Sequence, residues 1–274
     1  MTLATVFDLP RSVVTVAGAD AADFLNRLGS GETKPLTPGE LAATLFMRGD
    51  GRLVADAICL RNDADEWLLI CERELGGDLA EHIERMHFTE KLKVSEAADI
   101  VISVEFKDKP GCEFSYFGNG FSGLPMQVNL THVISTAVAP EDWLRFRIVY
   151  GIPSSAAELR EPLIPLEANL KHAISFTKGC FPGQEMVARI ENLGHPANVL
   201  VGLQFDGNVV GRDAELFHED KRVGRVTSVV NYGEKTIGLG FVKWTNREVG
   251  MRLKAQFDAY ETPAVVVAFE TGTR

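Results

Sequence analysis

Residues 178–189 have the sequence Lys-Gly-Cys-Phe-Pro-Gly-Gln-Glu-Met-Val-Ala-Arg, which combines turn-forming residues with chemically active ones. Gly179 permits backbone angles that other residues resist, and Pro182-Gly183 is a turn pair that leads the chain into a helix. Apolar residues at helical spacing follow over residues 184–191. The pattern alone leaves two interpretations open: an ordinary helix N-terminus with an amide and an acid in its first turn, or a functional turn.

This stretch resembles the signature of the YgfZ-type folate-binding proteins, which belong to the wider superfamily of the glycine-cleavage T protein, an aminomethyltransferase. The residues that carry the resemblance are Lys178, Gly179, Cys180, Phe181, Gly183, Gln184 and Glu185. Two shorter segments, Val16–Ala21 and Gly51–Asp56, are similar to motifs in the first domain of that superfamily. A pair of segments further on, Val226–Ser228 and Ile237–Val242, is similar to its C-terminal barrel.

The composition is that of a globular protein and excludes several classes. The chain has 274 residues, enough for one to three domains, and is 45% apolar and 24% charged. A formal net charge of -10 argues against a nucleic-acid-binding surface or attraction to an anionic membrane. No apolar run reaches the roughly 18 residues that span a bilayer, and Met1–Arg11 lacks the form of a signal peptide.

The four cysteines show neither CxxC spacing nor clustering with histidines; they are Cys59, Cys71, Cys112 and Cys180. A disulfide framework or a metal site built within the chain is therefore not expected. We predict a reduced protein located in the cytoplasm, with Cys59, Cys71 and Cys112 as core thiols.

Residues 1–90 alternate short strands and helices. Predicted strands cover Arg11–Val16, Leu41–Met47, Leu53–Leu60 and Trp67–Cys71, with a hairpin turn at residues 48–51. Predicted helices cover Ala21–Leu28, capped by Asp20 and ended by Gly29, and residues 79–86, capped by Asp78. This order predicts a mixed α+β sub-domain.

Residues 91–198 are predicted to form a second α+β sub-domain that ends in the signature, and residues 199–274 a β-barrel. In the second sub-domain, Ile100–Phe106 is a predicted strand, and the alternating pattern of Trp143–Val149 predicts a half-exposed strand. The barrel strands are Val199–Phe205, Ala214–Phe217, Arg222–Val230, Thr236–Phe241, Met251–Phe257 and Ala264–Phe269. The fold class is α+β, and the resemblance implies a T-protein-like arrangement of sub-domains around a central channel.

The resemblance implies tetrahydrofolate, or a derivative, as the cofactor. A pterin ring presents an amine beside a ring N–H, and a carboxylate can accept both hydrogen bonds. Glu167 lies with Asn169 in a segment similar to one in both protein types, and many YgfZ-type chains have an amide in place of this acid. Trp143 matches a tryptophan that helps to bind folate in the YgfZ type. Arg145 lies where the superfamily has an arginine near the folate, and it could pair with a carboxylate of the glutamyl tail. Arg11 replaces an expected second aromatic residue.

These residues also have structural interpretations. Glu167 is equally an acid on a surface helix, Trp143 a core aromatic and Asp78 a helix cap. Asp78 falls where the T protein has an aspartate proposed to assist one-carbon transfer, which makes it a candidate catalytic residue.

Cys180 is the most reactive-looking side chain of the sequence. A thiol beside Lys178 at the start of a helix has two local features that favour the thiolate. Because no histidine–acid partner can be named, acyl-type nucleophilic catalysis has little support. A single thiolate can instead be one ligand of a transient iron–sulfur site shared with another protein or thiol.

Three functional hypotheses follow. The first is a tetrahydrofolate-binding protein that supports iron–sulfur cluster assembly or repair, and through it tRNA modification, with iron–sulfur enzymes or assembly proteins as partners. The second is a folate-dependent aminomethyl or methyl transferase that uses Asp78 or Glu167. The third is a degenerate member of the family that acts only as an interaction module, which absence of folate binding would support. We expect a monomer without direct nucleic-acid contact.

Overall fold

The computed structural model describes residues 6–106, 116–130, 140–159, 163–206 and 211–270. Within these ranges the chain forms two compact units. The N-terminal unit comprises residues 6–130 and 170–189, and the C-terminal unit comprises residues 140–169 and 190–270. The contacts thus partition the chain differently from the predicted division at residues 90 and 198. Cys112 lies outside the described residues.

The strands of the N-terminal unit form a closed barrel. They are β1 Val6–Ala17, β2 Glu40–Met47, β3 Leu53–Asp63, β4 Glu66–Glu72, β5 Lys93–Phe106, β6 Tyr116–Asn119 and β7 Pro125–Leu130. Their order around the barrel is β1-β4-β3-β2-β6-β7-β5, and the β2–β6 pair is parallel. Since β5 pairs with β1 along most of its length, the barrel continues past the predicted boundary near residue 91.

Two helices pack on this barrel, α1 Ala21–Leu28 and α2 Gly76–Met86. Each contributes an apolar face to one core cluster, which includes Phe24 of α1, Leu79 of α2 and the fully buried Trp67 of β4. Because side chains alternate along a strand, the neighbours of these core positions in β1 and β4 point to the barrel interior. Arg11 and Glu72 are such neighbours and lie opposite each other in register.

Neither predicted aspartate cap forms. Asp20 occupies the N-cap position of α1, but its carboxylate accepts a hydrogen bond from the backbone N–H of Lys91 at 2.6 Å and not from the helix. Helix α2 begins at Gly76, so Asp78 lies inside its first turn. Gly29 ends α1 as predicted, in an extended conformation.

The C-terminal unit contains a second closed barrel, which confirms the predicted β-barrel. Its strands are β8 Asn198–Phe205, β9 Glu215–His218, β10 Lys221–Tyr232, β11 Lys235–Lys243, β12 Arg252–Phe257 and β13 Tyr260–Val267. Alternate residues of β8 fill the barrel, while Leu200 faces outward and packs with Ile148. The α+β class is therefore confirmed, with strands dominating.

The predicted strand Trp143–Val149 is wrong, because this segment belongs to helix α3, Pro140–Val149. Acidic residues in the first turn suit a helix N-terminus, and Gly151, with a φ of 66°, follows its end. The alternation was misleading because Arg147, expected on a solvated face, is buried in an ion pair with Glu158. The fourth helix, α4 Gln184–Leu193, is the one predicted to follow the signature turn. No helix in the described ranges has the length and apolar character needed to cross a membrane.

Candidate functional site

The signature turn is held against the hairpin between β2 and β3 by two glycines. Gly183 has a φ of 80° and Gly51 a φ of 79°, values that favour glycine. A methyl group on Gly183 would lie 2.8 Å from both the carbonyl oxygen of Arg48 and the Cα atom of Gly51. The two motifs that were matched separately in the sequence therefore meet in the N-terminal unit, and their glycines are required by this close approach.

Lys178 anchors the other end of the turn. Its ammonium donates to the carbonyl oxygens of Asn26 at 2.7 Å and Gly31 at 2.6 Å, and also to that of Gly29. Burial lowers the pKa of Lys178 to about 8, although Glu32 raises it. An ammonium has three N–H donors, and all three are used here. Lys178 is thus a positioning residue at the end of α1, and no donor remains for the Cys180 thiol.

Cys180 lies between these two anchors and is exposed. Cys59 and Cys71 are buried free thiols, which confirms the prediction that they belong to the core. Burial raises the pKa of the Cys71 thiol to about 12 and also raises that of Cys59. Among the described cysteines, Cys180 alone is therefore accessible to a partner or a substrate. No group of three or more potential metal ligands occurs in the part of the chain that the structure describes.

The remaining signature residues support this turn. Phe181 is buried, and Lys178 lies 5.4 Å from the centre of its ring. Gln184 and Glu185 form the first turn of α4, and the Gln184 N–H donates to the carbonyl of Phe181. Gly179 has open space around its Cα.

Asp78 is exposed on the first turn of α2 and lines a cleft together with Pro182 of the signature turn. The structure brings this candidate close to the signature, but its proposed role in one-carbon transfer stays a prediction.

Asp56 is a buried carboxyl whose environment the sequence patterns do not indicate. Burial, with a smaller effect from Glu72, raises the pKa of this carboxyl to about 7, although Arg11 opposes the shift. Its Oδ1 atom is buried and has no hydrogen-bond partner among the described residues. Arg11, where an aromatic residue was expected, is itself buried, with its guanidinium 5.8 Å from the centre of the Phe121 ring. Asp56 is the last residue of the Gly51–Asp56 motif, and membership of this motif is the one feature of the sequence that points to it.

The pH dependence of stability tests this assignment. The folded-state pKa of about 7 exceeds the ordinary value of 3.8, so folding takes up a proton between these values. Stability from this group is present at low pH and is lost as the pH rises through 7. The wild type should therefore lose up to about 4 kcal/mol of unfolding free energy between pH 4 and pH 8 that the Asp56→Asn variant does not lose. Urea denaturation across this range measures it, with exposed Asp50→Asn as the control. A difference that does not change with pH would refute the assignment.

In the C-terminal unit, Glu167 lines a cleft of about 550 Å³. It lies in a 3₁₀ turn, Pro165–Ala168, that ends at Asn169 with a left-handed φ of 60°. The Nδ2 atom of Asn198 donates to Oε1 of Glu167 at 3.2 Å, and no described residue donates to Oε2. The wall of the cleft also includes an aromatic ring and three cationic side chains, Phe241, Arg222, Arg225 and Lys243.

The other predicted folate residues are engaged elsewhere in the same unit. Asn169 donates to the carbonyl of Leu200 at 2.8 Å and so fixes the turn that carries Glu167. Trp143 stacks on Phe146 with ring centres 6.0 Å apart. The Arg145 guanidinium is bonded to Asp142, Glu141 and the carbonyl of Asn231. Neither Trp143 nor Arg145 lines the Glu167 cleft, and their folate contacts stay predictions.

Comparison with known proteins identifies the class. No protein-family model matches the chain. The glycine cleavage system aminomethyltransferase T of Bartonella henselae aligns with a TM-score of 0.78 and 16% identity, over 96% of this chain and 84% of that one. The chain therefore has the aminomethyltransferase T fold.

Curated proteins are similar to the chain in sequence as well. The iron-sulfur cluster assembly factor IBA57 of Mus musculus is 27% identical over 232 residues, which cover 72% of this chain and 65% of that protein. The tRNA-modifying protein YgfZ of Yersinia pestis is 32% identical over 132 residues, 46% of this chain and 40% of that protein. The chain thus spans less than two thirds of the length of these relatives. The predicted resemblance to YgfZ-type proteins with a T-protein-like fold is confirmed.

The predicted cytoplasmic location is contradicted. The IBA57 relatives from Mus musculus, Mycosarcoma maydis and Homo sapiens are mitochondrial proteins. The prediction relied on cysteine usage, which indicates a reducing environment but does not distinguish one reducing compartment from another.

Proposed function

We propose that this protein binds a reduced folate beside Glu167 and supports assembly or repair of iron–sulfur clusters. Cluster-dependent enzymes would then connect it to tRNA modification. The names of two relatives support the proposed role in cluster assembly and tRNA modification, since one is an iron-sulfur cluster assembly factor and the other a tRNA-modifying protein.

The observation that carries the folate proposal is the composition of the Glu167 cleft. The Glu167 carboxylate can accept the amine and the ring N–H of a pterin, because Oε2 has no described donor and Oε1 accepts a single hydrogen bond, from Asn198. Phe241 offers an aromatic surface for a flat ring. Arg225 and Lys243 offer positive charge for the carboxylates of a glutamyl tail, whereas Arg222 already pairs with Glu215 at 3.0 Å. A volume of about 550 Å³ lies in the range of small-molecule sites. Bound reduced folate would act as a one-carbon carrier.

The accessible Cys180 thiol supports the cluster proposal. One cysteine cannot complete the ligand set of an iron–sulfur cluster, which requires three or four ligands. A cluster transferred as cargo would therefore take its other ligands from a partner protein or a small thiol. Lys178 and Gly183, which fix the turn at both ends, hold the sulfur at the surface where such sharing is possible.

Calorimetric titration with tetrahydrofolate under anaerobic conditions tests the folate site. Glu167→Leu should weaken binding about tenfold to a hundredfold, because two charge-assisted hydrogen bonds to the pterin are lost. Glu248→Ala is the matched control, since Glu248 is an exposed acid of the same unit that does not line the cleft. Equal affinity in the Glu167→Leu variant and wild type would exclude this site.

A transferase is the second candidate, and the position of Asp78 favours it. This carboxylate is exposed and lines a cleft beside Pro182 of the signature turn, where acid–base chemistry on a one-carbon unit would have access to a substrate. This candidate does not need the Cys180 thiol, so a Cys180→Ser variant that retains full activity in a glycine-cleavage assay would favour it over the assembly role.

A further inference from the structure

A second cleft lies within the N-terminal unit, between the β2–β3 hairpin and α2. Its volume is about 510 Å³, and it shares no residue with the Glu167 cleft. Its walls come from residues 47–49, 53 and 54 of the hairpin, one side of α2, and Pro182. The proposed folate and cluster functions leave this cleft unused.

Three basic side chains converge in this cleft: Arg48 from the hairpin, with His82 and Arg85 from α2. Burial lowers the pKa of His82, and Arg85 and then Arg48 lower it further, so both guanidiniums lie near the imidazole. The Nε2 atom of His82 is buried, and no group in the described part of the chain forms a hydrogen bond with it. A buried polar atom in this state is costly unless a ligand or water satisfies it.

The acidic residues of the cleft do not neutralise this group. Asp78 and Glu81 are also on α2, and Glu81 precedes Arg85 by four residues, a spacing that commonly gives an ion pair. Within the described ranges, neither Arg48 nor Arg85 forms an ion pair. Both guanidiniums therefore remain available to an anionic ligand in this cleft, although the chain carries a net charge of -10.

Apolar side chains form the rest of the cleft wall. Met47, Leu53 and Val54 come from the hairpin, and Met86, which is 40% exposed, comes from the end of α2. Methionine side chains adapt to varied ligand shapes. An apolar wall beside a basic group suits a ligand with both an apolar body and an anionic group.

We propose that this cleft binds a small organic anion, whose phosphate or carboxylate group is held by Arg48, His82 and Arg85 while its apolar part lies against Met47 and Met86. Guanidinium groups bind both oxyanions in bidentate geometry, and the imidazole of His82 is a third polar group in the wall beside them. This inference is independent of folate binding and of the role of Cys180.

Titration with phenyl phosphate and with benzoate, at constant ionic strength, tests the proposal and distinguishes the two oxyanions. Binding is followed by calorimetry and by the NMR signals of the His82 ring. The double variant Arg48→Ala/Arg85→Ala should weaken binding about tenfold or more. Arg52→Ala is the matched control, because Arg52 is an exposed hairpin arginine paired with Asp50 outside the cleft.

The expected result is saturable binding of at least one anion, with a shift of the His82 signals, and no comparable binding of neutral benzyl alcohol. Three outcomes would overturn the proposal: no saturable binding of either anion below about 10 mM, equal binding of benzyl alcohol, or a double variant that binds as well as Arg52→Ala.

Discussion

Glu158→Leu is expected to lower the unfolding free energy by about 3–5 kcal/mol, because it leaves the Arg147 guanidinium buried without its counter-charge. Glu158 accepts from Arg147 at 2.9 Å, from the Ser228 hydroxyl at 2.7 Å and from the backbone N–H of Ser154 at 3.1 Å. The Glu158 side chain is fully buried, and that of Arg147 is 9% exposed. This network ties α3 to strand β10 of the C-terminal barrel. Urea denaturation of both proteins measures the loss.

Two further variants separate the lost pair from a general packing defect. Glu141→Ala removes an exposed partner of Arg145 on the same helix and should cost less than about 1 kcal/mol. The double variant Arg147→Met/Glu158→Leu removes both charges and should recover much of the stability. If Glu158→Leu costs no more than Glu141→Ala, the buried pair does not stabilise this unit.

Cys180→Ser is expected to remove the ability to support iron–sulfur enzymes while the fold stays intact. The thiol is exposed, and such a substitution changes unfolding free energy by less than about 0.5 kcal/mol. A hydroxyl cannot replace a thiolate as a soft metal ligand. The measurement is complementation of a strain that lacks its YgfZ-type protein, with the activity of a cluster-dependent tRNA-modifying enzyme as the readout.

Cys59→Ala is the control for loss of a thiol as such. Cys59 is fully buried, so this variant should lose some stability but retain complementation. Full complementation by Cys180→Ser would contradict the assembly role and leave the transferase as the better account.

Much of the fold could be predicted because local patterns determine it. The β2–β3 hairpin, the helix after the signature and the six strands of the C-terminal barrel follow from alternation and turn residues. Closure of the N-terminal barrel could not be predicted, since it depends on pairing between distant strands such as β1 and β5. Helix α3 was misassigned because the burial of Arg147 depends on Glu158 in another segment.

Prediction of the candidate site from sequence is limited in the same way. The signature turn could be recognised from its glycines and Cys180. The exposure of Cys180 is known only from the structure. Lys178 was expected beside the thiol, but three carbonyl acceptors contributed by residues 26–31 determine its direction. The raised pKa of Asp56 arises from burial inside a barrel, which no local pattern reports.

A crystal structure of this protein with bound 5-formyltetrahydrofolate, a stable reduced folate, is the decisive test of folate binding beside Glu167. We expect the pterin amine and ring N–H to lie within about 2.7–3.2 Å of the Glu167 carboxylate oxygens. A pterin ring bound away from Glu167, or no folate bound in either unit at saturating concentration, would contradict folate binding at this site.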